Sequence, residues 1–181
     1  MKLDTITNKR ENNNGINQND EFYTPSYAIK PLLKYLKQFK TIWCPFDTEE
    51  SLFKKELEKE GHNVITTHIF NGQDFFEYEP QNYDCIVSNP PYSLKCEVFE
   101  RLFKLKKPFA MLVGVVGIFE SQKRFNMFKN NEFEIMYFNK RVSYFRNYKD
   151  NKPLLNPPFS SVYITHNILP KQIVFEEIEK C

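Results

Sequence analysis

The residues of clearest chemical potential are consecutive: Asn89, Pro90, Pro91 and Tyr92, followed by Ser93. Two prolines remove two N–H donors and fix two φ angles, so the turn they make is rigid and rich in acceptors. The Asn89 side-chain oxygen and the Pro90 carbonyl can face one point, and a planar amine placed there donates a proton to each. Tyr92 adds an aromatic face on which a flat ring can stack. The chemistry these types suit is the handling of an amine on a flat ring.

Such a turn is useful only if regular elements hold it. Residues 83–88 (YDCIVS) read as a buried strand that runs directly into Asn89. Upstream, Tyr27, Ile29, Leu32, Leu33, Leu36 and Phe39 recur at helical spacing after the Thr24-Pro25 turn. Residues 41–44 read as a short buried strand ended by Pro45. An amphipathic helix over 49–60 is stopped by Gly61, and a strand over 63–69 precedes the Asn71-Gly72 turn. Downstream the pattern predicts a helix over 97–107, a strand over 109–113, a helix over 120–130 and a strand over 134–139. Strands alternating with helices make βαβ units and a mostly parallel sheet covered on both faces. In such sheets ligands bind beyond the carboxyl ends of the strands, where Asn89 stands. The tail is expected to differ: 160–168 and 172–177 flank Pro170-Lys171 and read as an antiparallel hairpin at the sheet edge.

The 181 residues suffice for one domain with a real core. Residues 1–20, rich in Asn, Asp and Lys without hydrophobic period, are expected to form a flexible arm, and residues 21–181 the domain. A net charge of +2 gives no global positive field, so any nucleic-acid contact must be local. Lys140, Arg141, Arg146, Lys149 and Lys152, interleaved with Tyr144, Phe145 and Tyr148, are the candidate loop for phosphate contact and stacking, with a solvated charged loop as the equal alternative. The aromatic share of 16% serves a core or a pocket for flat ligands equally well. Cys44, Cys85, Cys96 and Cys181 form no CxxC pair, so neither a metal site nor a disulfide framework is expected, and Cys44 and Cys85 fall in core strands. With neither a membrane-length apolar run nor a leader-like N-terminus, the expected location is the cytoplasm.

Asn89-Pro90-Pro91-Tyr92 after a strand in an α/β chain resembles the catalytic motif of amino-methyltransferases, notably the N6-adenine DNA methyltransferases. The tetrapeptide also marks glutamine and some RNA methyltransferases. Other segments extend the resemblance over most of residues 21–168. Tyr23-Thr24-Pro25 is similar to the segment that covers the cofactor, Gly72-Gln73-Asp74-Phe75 to the one flanking the cofactor adenine, and Phe159 stands in the late motif whose aromatic residue completes the base pocket. Arrays of this kind with a WCPFD stretch also resemble small methyltransferase-like proteins of phages of low-GC bacteria, which would place the chain in a host cytoplasm.

The resemblance implies a Rossmann-like class I methyltransferase fold and methyl transfer from S-adenosylmethionine to the exocyclic amine of adenine in DNA. It assigns Asn89, Pro90, Pro91 and Tyr92 to catalysis. Tyr23, Thr24, Pro45, Phe46, Asp47, Asp74 and Phe75 fall to the cofactor, and Tyr92, Phe159, Lys140, Arg141 and Arg146 to the substrate. Neither metal nor membrane is implied, and no protein partner is named. Departures are local. Cys44 replaces an acidic residue, Thr48 and Glu50 stand where the family's cofactor loop has glycines, and the ribose-binding acid falls near His68. Alternatives are a catalytically reduced nucleic-acid or protein-binding module, and an RNA or protein-glutamine methyltransferase.

Overall fold

The computed structural model describes residues 23–145 and 159–180. Seven strands form one sheet in the order β2-β1-β3-β4-β6-β5-β7. They are β1 (Thr41–Cys44), β2 (Asn63–Thr66), β3 (Cys85–Ser88), β4 (Phe109–Gly114), β5 (Glu134–Phe138), β6 (Ser161–His166) and β7 (Ile173–Glu176). The helices are α1 (Ser26–Leu36), α2 (Leu52–Lys59), α3 (Lys95–Leu105) and α4 (Gln122–Lys129). The pairs β1·β2, β1·β3, β3·β4 and β5·β7 are parallel, and β6 runs antiparallel to β4 and β5. This is the mostly parallel α/β sheet that the alternation of elements implied, in a Rossmann-like arrangement.

Period-two alternation along the central strands sorts the core into two layers. Ile42, Cys44, Cys85, Val87, Ala110 and Leu112 face one way, against Ile29, Leu32 and Leu36 of α1 and Phe53 and Leu57 of α2. Trp43, Ile86, Phe109, Met111 and Val113 face the other, with Val98, Phe99 and Leu102 of α3 and Phe128 of α4. Cys44 and Cys85 are fully buried, as their strands required.

Local chemistry sets the element ends. Helix α2 begins at Leu52, three residues later than its apolar pattern implied, because Ser51 caps it: Ser51 Oγ accepts from the Phe53 N–H at 3.1 Å. Strand β2 ends at Thr66. His68 Nδ1 accepts from the Phe70 N–H at 3.2 Å and opens a 3₁₀ turn over Ile69–Asn71, which Gly72 closes at φ 72°.

The tail contains the expected antiparallel strand, but β6 and β7 do not pair with each other. Strand β5 lies between them. Glu134, at the start of β5, accepts from Thr165 Oγ1 at 2.6 Å and from the Asn167 N–H at 2.9 Å. The chain leaving β6 is thereby anchored across β5, and residues 167–172 are long enough to deliver β7 to the far side.

The sheet order matters for function. From β1 the chain moves outward to β2, then returns to β3 on the other flank of β1, so strand order reverses there. A crevice opens at such a reversal, beyond the carboxyl ends of β1 and β3. Asp47 follows the first of these strands and Asn89 the second.

Candidate active site

Strand β3 is buried along its whole length and delivers Asn89 at the reversal point. Pro90 is buried and Pro91 is extended (φ −55°, ψ 125°), after which Tyr92 opens a 3₁₀ turn that leads into α3. Asn89 Nδ2 donates to Thr24 Oγ1 at 3.2 Å, and Thr24 is buried. Tyr23 exchanges two backbone hydrogen bonds with Phe145, at 3.2 and 2.9 Å. The segment over Tyr23–Pro25 is therefore tied down at the Asn89-Pro90 turn.

Tyr92 is fixed at both ends of its side chain. Its hydroxyl donates to Tyr144 Oη at 2.8 Å, and its ring meets Phe159 edge-on, with centroids 5.5 Å apart and planes at 67°. Phe159 in turn lies against Gly114, where a Cβ would come within 2.9 Å of the ring. Glycine there makes room for the aromatic pair. Gly114→Ala is expected to displace Phe159 and lower stability by about 1 kcal/mol, the low end for overpacking because Phe159 is only half-buried and can move. Urea unfolding gives the free energy. A variant as stable as the parent, with unchanged aromatic circular dichroism, would contradict the contact.

Asp47 is buried just past β1, and its two carboxylate oxygens accept from different hydroxyls, Oδ1 from Ser51 and Oδ2 from Ser88. Burial pushes its pKa up to about 6, against the pull of the two hydroxyls, which favour the ionised form. No cation is among the groups that set its titration within the described residues. A carboxylate with two hydroxyl partners keeps lone pairs to spare, so this donor set suits a cationic ligand group.

The other assigned residues separate. Asp74 Oδ1 accepts from the Phe76 N–H at 2.9 Å and so shapes its own turn. Phe75 is a core ring packed on Trp43 (5.4 Å) and on the half-buried Phe46 (4.9 Å). Pro45 is buried beside them. Lys140 and Arg141 are exposed on the segment that leaves β5. Arg146, Tyr148, Lys149 and Lys152 lie outside the described residues, as do the arm over 1–20 and Cys181. Tyr144 corrects the sequence reading: it is fully buried and bonded to Tyr92, not a loop residue open for stacking. Ser51, Ser88 and Ser161 have no role assigned by the sequence pattern, yet they hold Asp47 and Tyr144. Ser88 carried a signal, since a polar side chain ending a buried strand needs a partner.

Two open grooves, of about 430 and 580 Å³, are lined by Glu79–Tyr83 with Lys107, and by residues of α4, β5 and the β6–β7 link. Neither touches Asp47, Asn89 or Tyr92. Among the described residues no group of three or more His, Cys, Asp or Glu is placed to hold a metal ion, and no helix is long and apolar enough to cross a membrane.

No protein-family model and no curated protein matches this sequence. Solved structures do. One is a modification subunit of a putative type I restriction enzyme from Vibrio vulnificus, similar over 98% of this chain with a TM-score of 0.58 and 11% identity. The match covers 51% of that subunit, so this chain spans about half its length. At such identity the likeness concerns architecture, and it agrees with the strand order: the chain has a Rossmann-like α/β fold.

Proposed function

We propose that this chain is an S-adenosylmethionine-dependent amino-methyltransferase whose acceptor is the exocyclic amine of adenine in DNA. The observation that carries the reading is the Asn89-Pro90-Pro91-Tyr92 turn at the carboxyl end of β3, at the strand-order reversal, with Tyr92 paired to Phe159. S-adenosylmethionine, when bound, supplies the methyl group. Asp47 is the residue suited to its ammonium, a buried carboxylate without a cationic partner among the described residues. Thr24, Phe46 and Asp74 border the same end of the sheet.

The residues of the turn do the rest. An aryl amine is a poor nucleophile while its lone pair is conjugated with the ring. Accepting both N–H protons, the Asn89 oxygen and the Pro90 carbonyl favour the pyramidal amine and stabilise the positive charge that develops on it. Tyr92 and Phe159 offer aromatic surface to a base taken out of the duplex, offsetting the few kcal/mol of unstacking. Lys140 and Arg141, exposed beyond β5, are the residues proposed to meet the adjoining phosphates.

One feature favours a second reading. Both Asp47 oxygens already engage hydroxyls of the same chain, and the loop after β1 has Thr48 and Glu50 in place of glycines. A module that binds nucleic acid or protein without transferring methyl groups would show the same features. Calorimetric titration with S-adenosylmethionine separates the two. The enzyme reading expects heat with a dissociation constant of about 1 μM or weaker, about −8 kcal/mol at 1 μM. No heat and no thermal shift at millimolar cofactor would replace the enzyme with the module.

A further inference from the structure

Tyr92 sits on a short turn where a tyrosine ring would ordinarily be free to swing. Here a chain of hydroxyls runs inward from it: Tyr92 Oη donates to Tyr144 Oη at 2.8 Å, and Tyr144 Oη donates to Ser161 Oγ at 2.8 Å. Tyr144 is completely buried and Ser161 nearly so. The chain therefore leads from the site into the sheet, ending on the first residue of β6.

Tyr144 is itself held from both sides. Val142 is buried two residues before it. Tyr27 Oη accepts from the Ser143 N–H at 2.8 Å and donates to the Ser143 carbonyl at 3.2 Å. Phe145 is bonded through its backbone to Tyr23. Three consecutive residues, 143–145, are thus stitched to α1, to the segment before it and to β6, although no regular element contains them. A segment this constrained places the Tyr144 hydroxyl accurately.

Resting on the amino-methyltransferase reading, we propose that Tyr144 is a positioning residue for the acceptor. It holds the Tyr92 hydroxyl and so fixes where the ring against which the base stacks stands before transfer. The role belongs to its hydroxyl, while its ring serves the core.

Tyr144→Phe separates these roles, because the ring stays and only the hydroxyl leaves. The first readout is ¹⁹F NMR of the full chain with 3-fluorotyrosine at position 92. The parent is expected to show a narrow resonance from a side chain held at its hydroxyl, and Tyr144→Phe a shifted and broadened line as the released side chain samples other positions. The second is steady-state methyl transfer. The variant is expected to lose about 10- to 100-fold in kcat with the cofactor KM unchanged, as a misplaced reactant requires. A purely structural Tyr144 would lower the thermal midpoint and leave both the fluorine spectrum and kcat of the folded variant unaltered, which would overturn the proposal. A parent chain that transfers no methyl group would remove the acceptor reading and with it the positioning role, whereas the fluorine spectra would still report whether Tyr92 is clamped. The two failures are distinguishable.

Discussion

Asn89→Ala is expected to lower methyl transfer about 10²–10³-fold while the domain stays folded, the usual loss when one transition-state hydrogen-bonding group is removed. The side chain stands on a turn that Pro90 and Pro91 stiffen, and its amide donates a hydrogen bond to Thr24 Oγ1 at 3.2 Å. Losing that bond costs about 1 kcal/mol of stability, too little to unfold a domain of this size. Thr24→Val is the control: it removes the same bond but leaves the Asn89 amide, so it should reproduce the small stability loss without the full rate loss. Circular dichroism and thermal midpoints establish folding, and initial rates at saturating cofactor give the effect. Parental activity in folded Asn89→Ala would contradict the role assigned to the turn.

Asp47→Asn is expected to make the chain more stable at pH 8. The folded-state pKa of about 6 lies above the ~3.9 of an unfolded aspartate, so the folded state holds more protons between those values. Stability from this group is therefore complete below about pH 4, falls as pH rises toward 6, and stays low above it, a loss of about 3 kcal/mol. Asparagine mimics the protonated acid and keeps hydrogen-bonding partners for Ser51 and Ser88, so the variant should match the parent near pH 4 and exceed it by up to about 3 kcal/mol at pH 8. Asp84, Glu49 and Glu100 have lowered values from hydrogen bonds and act in the opposite direction, but they are common to both proteins and cancel in the difference. Urea titrations at the two pH values measure it. A variant less stable than its parent at pH 8 would show that the hydroxyl network outweighs burial. Keeping a destabilising carboxylate is understandable if its charge serves a ligand.

What was legible in the sequence had local causes. A buried strand that runs into Pro-Pro announces both its own end and a rigid turn, and β3 with Asn89 is found in that place. The alternation Ile42-Trp43-Cys44 and Phe109 to Val113 could be read as strands because both faces of a parallel sheet are covered. The tail was less legible. Whether β7 pairs with β6 or with β5 depends on the path of residues 167–172, which the distant carboxylate of Glu134 directs. The place of Tyr144 is hidden in the sequence for a related reason. Between Arg141 and Arg146 the sequence looks like a charged loop, and only the alternate burial of Val142 and Tyr144 distinguishes it. Contacts across the fold, such as Asp47 with Ser88 or Tyr92 with Tyr144, leave no periodic trace.

Methyl transfer to adenine is tested most directly by identifying the acceptor. Duplex DNA, single-stranded DNA, RNA and a glutamine-bearing protein extract should be incubated in parallel with the chain and methyl-labelled S-adenosylmethionine, and the products digested and separated. Label is expected in N6-methyladenine from DNA, abolished by Asn89→Ala. Label confined to RNA or protein would overturn the acceptor, and no transferred label from a folded chain that binds the cofactor would contradict the enzyme itself.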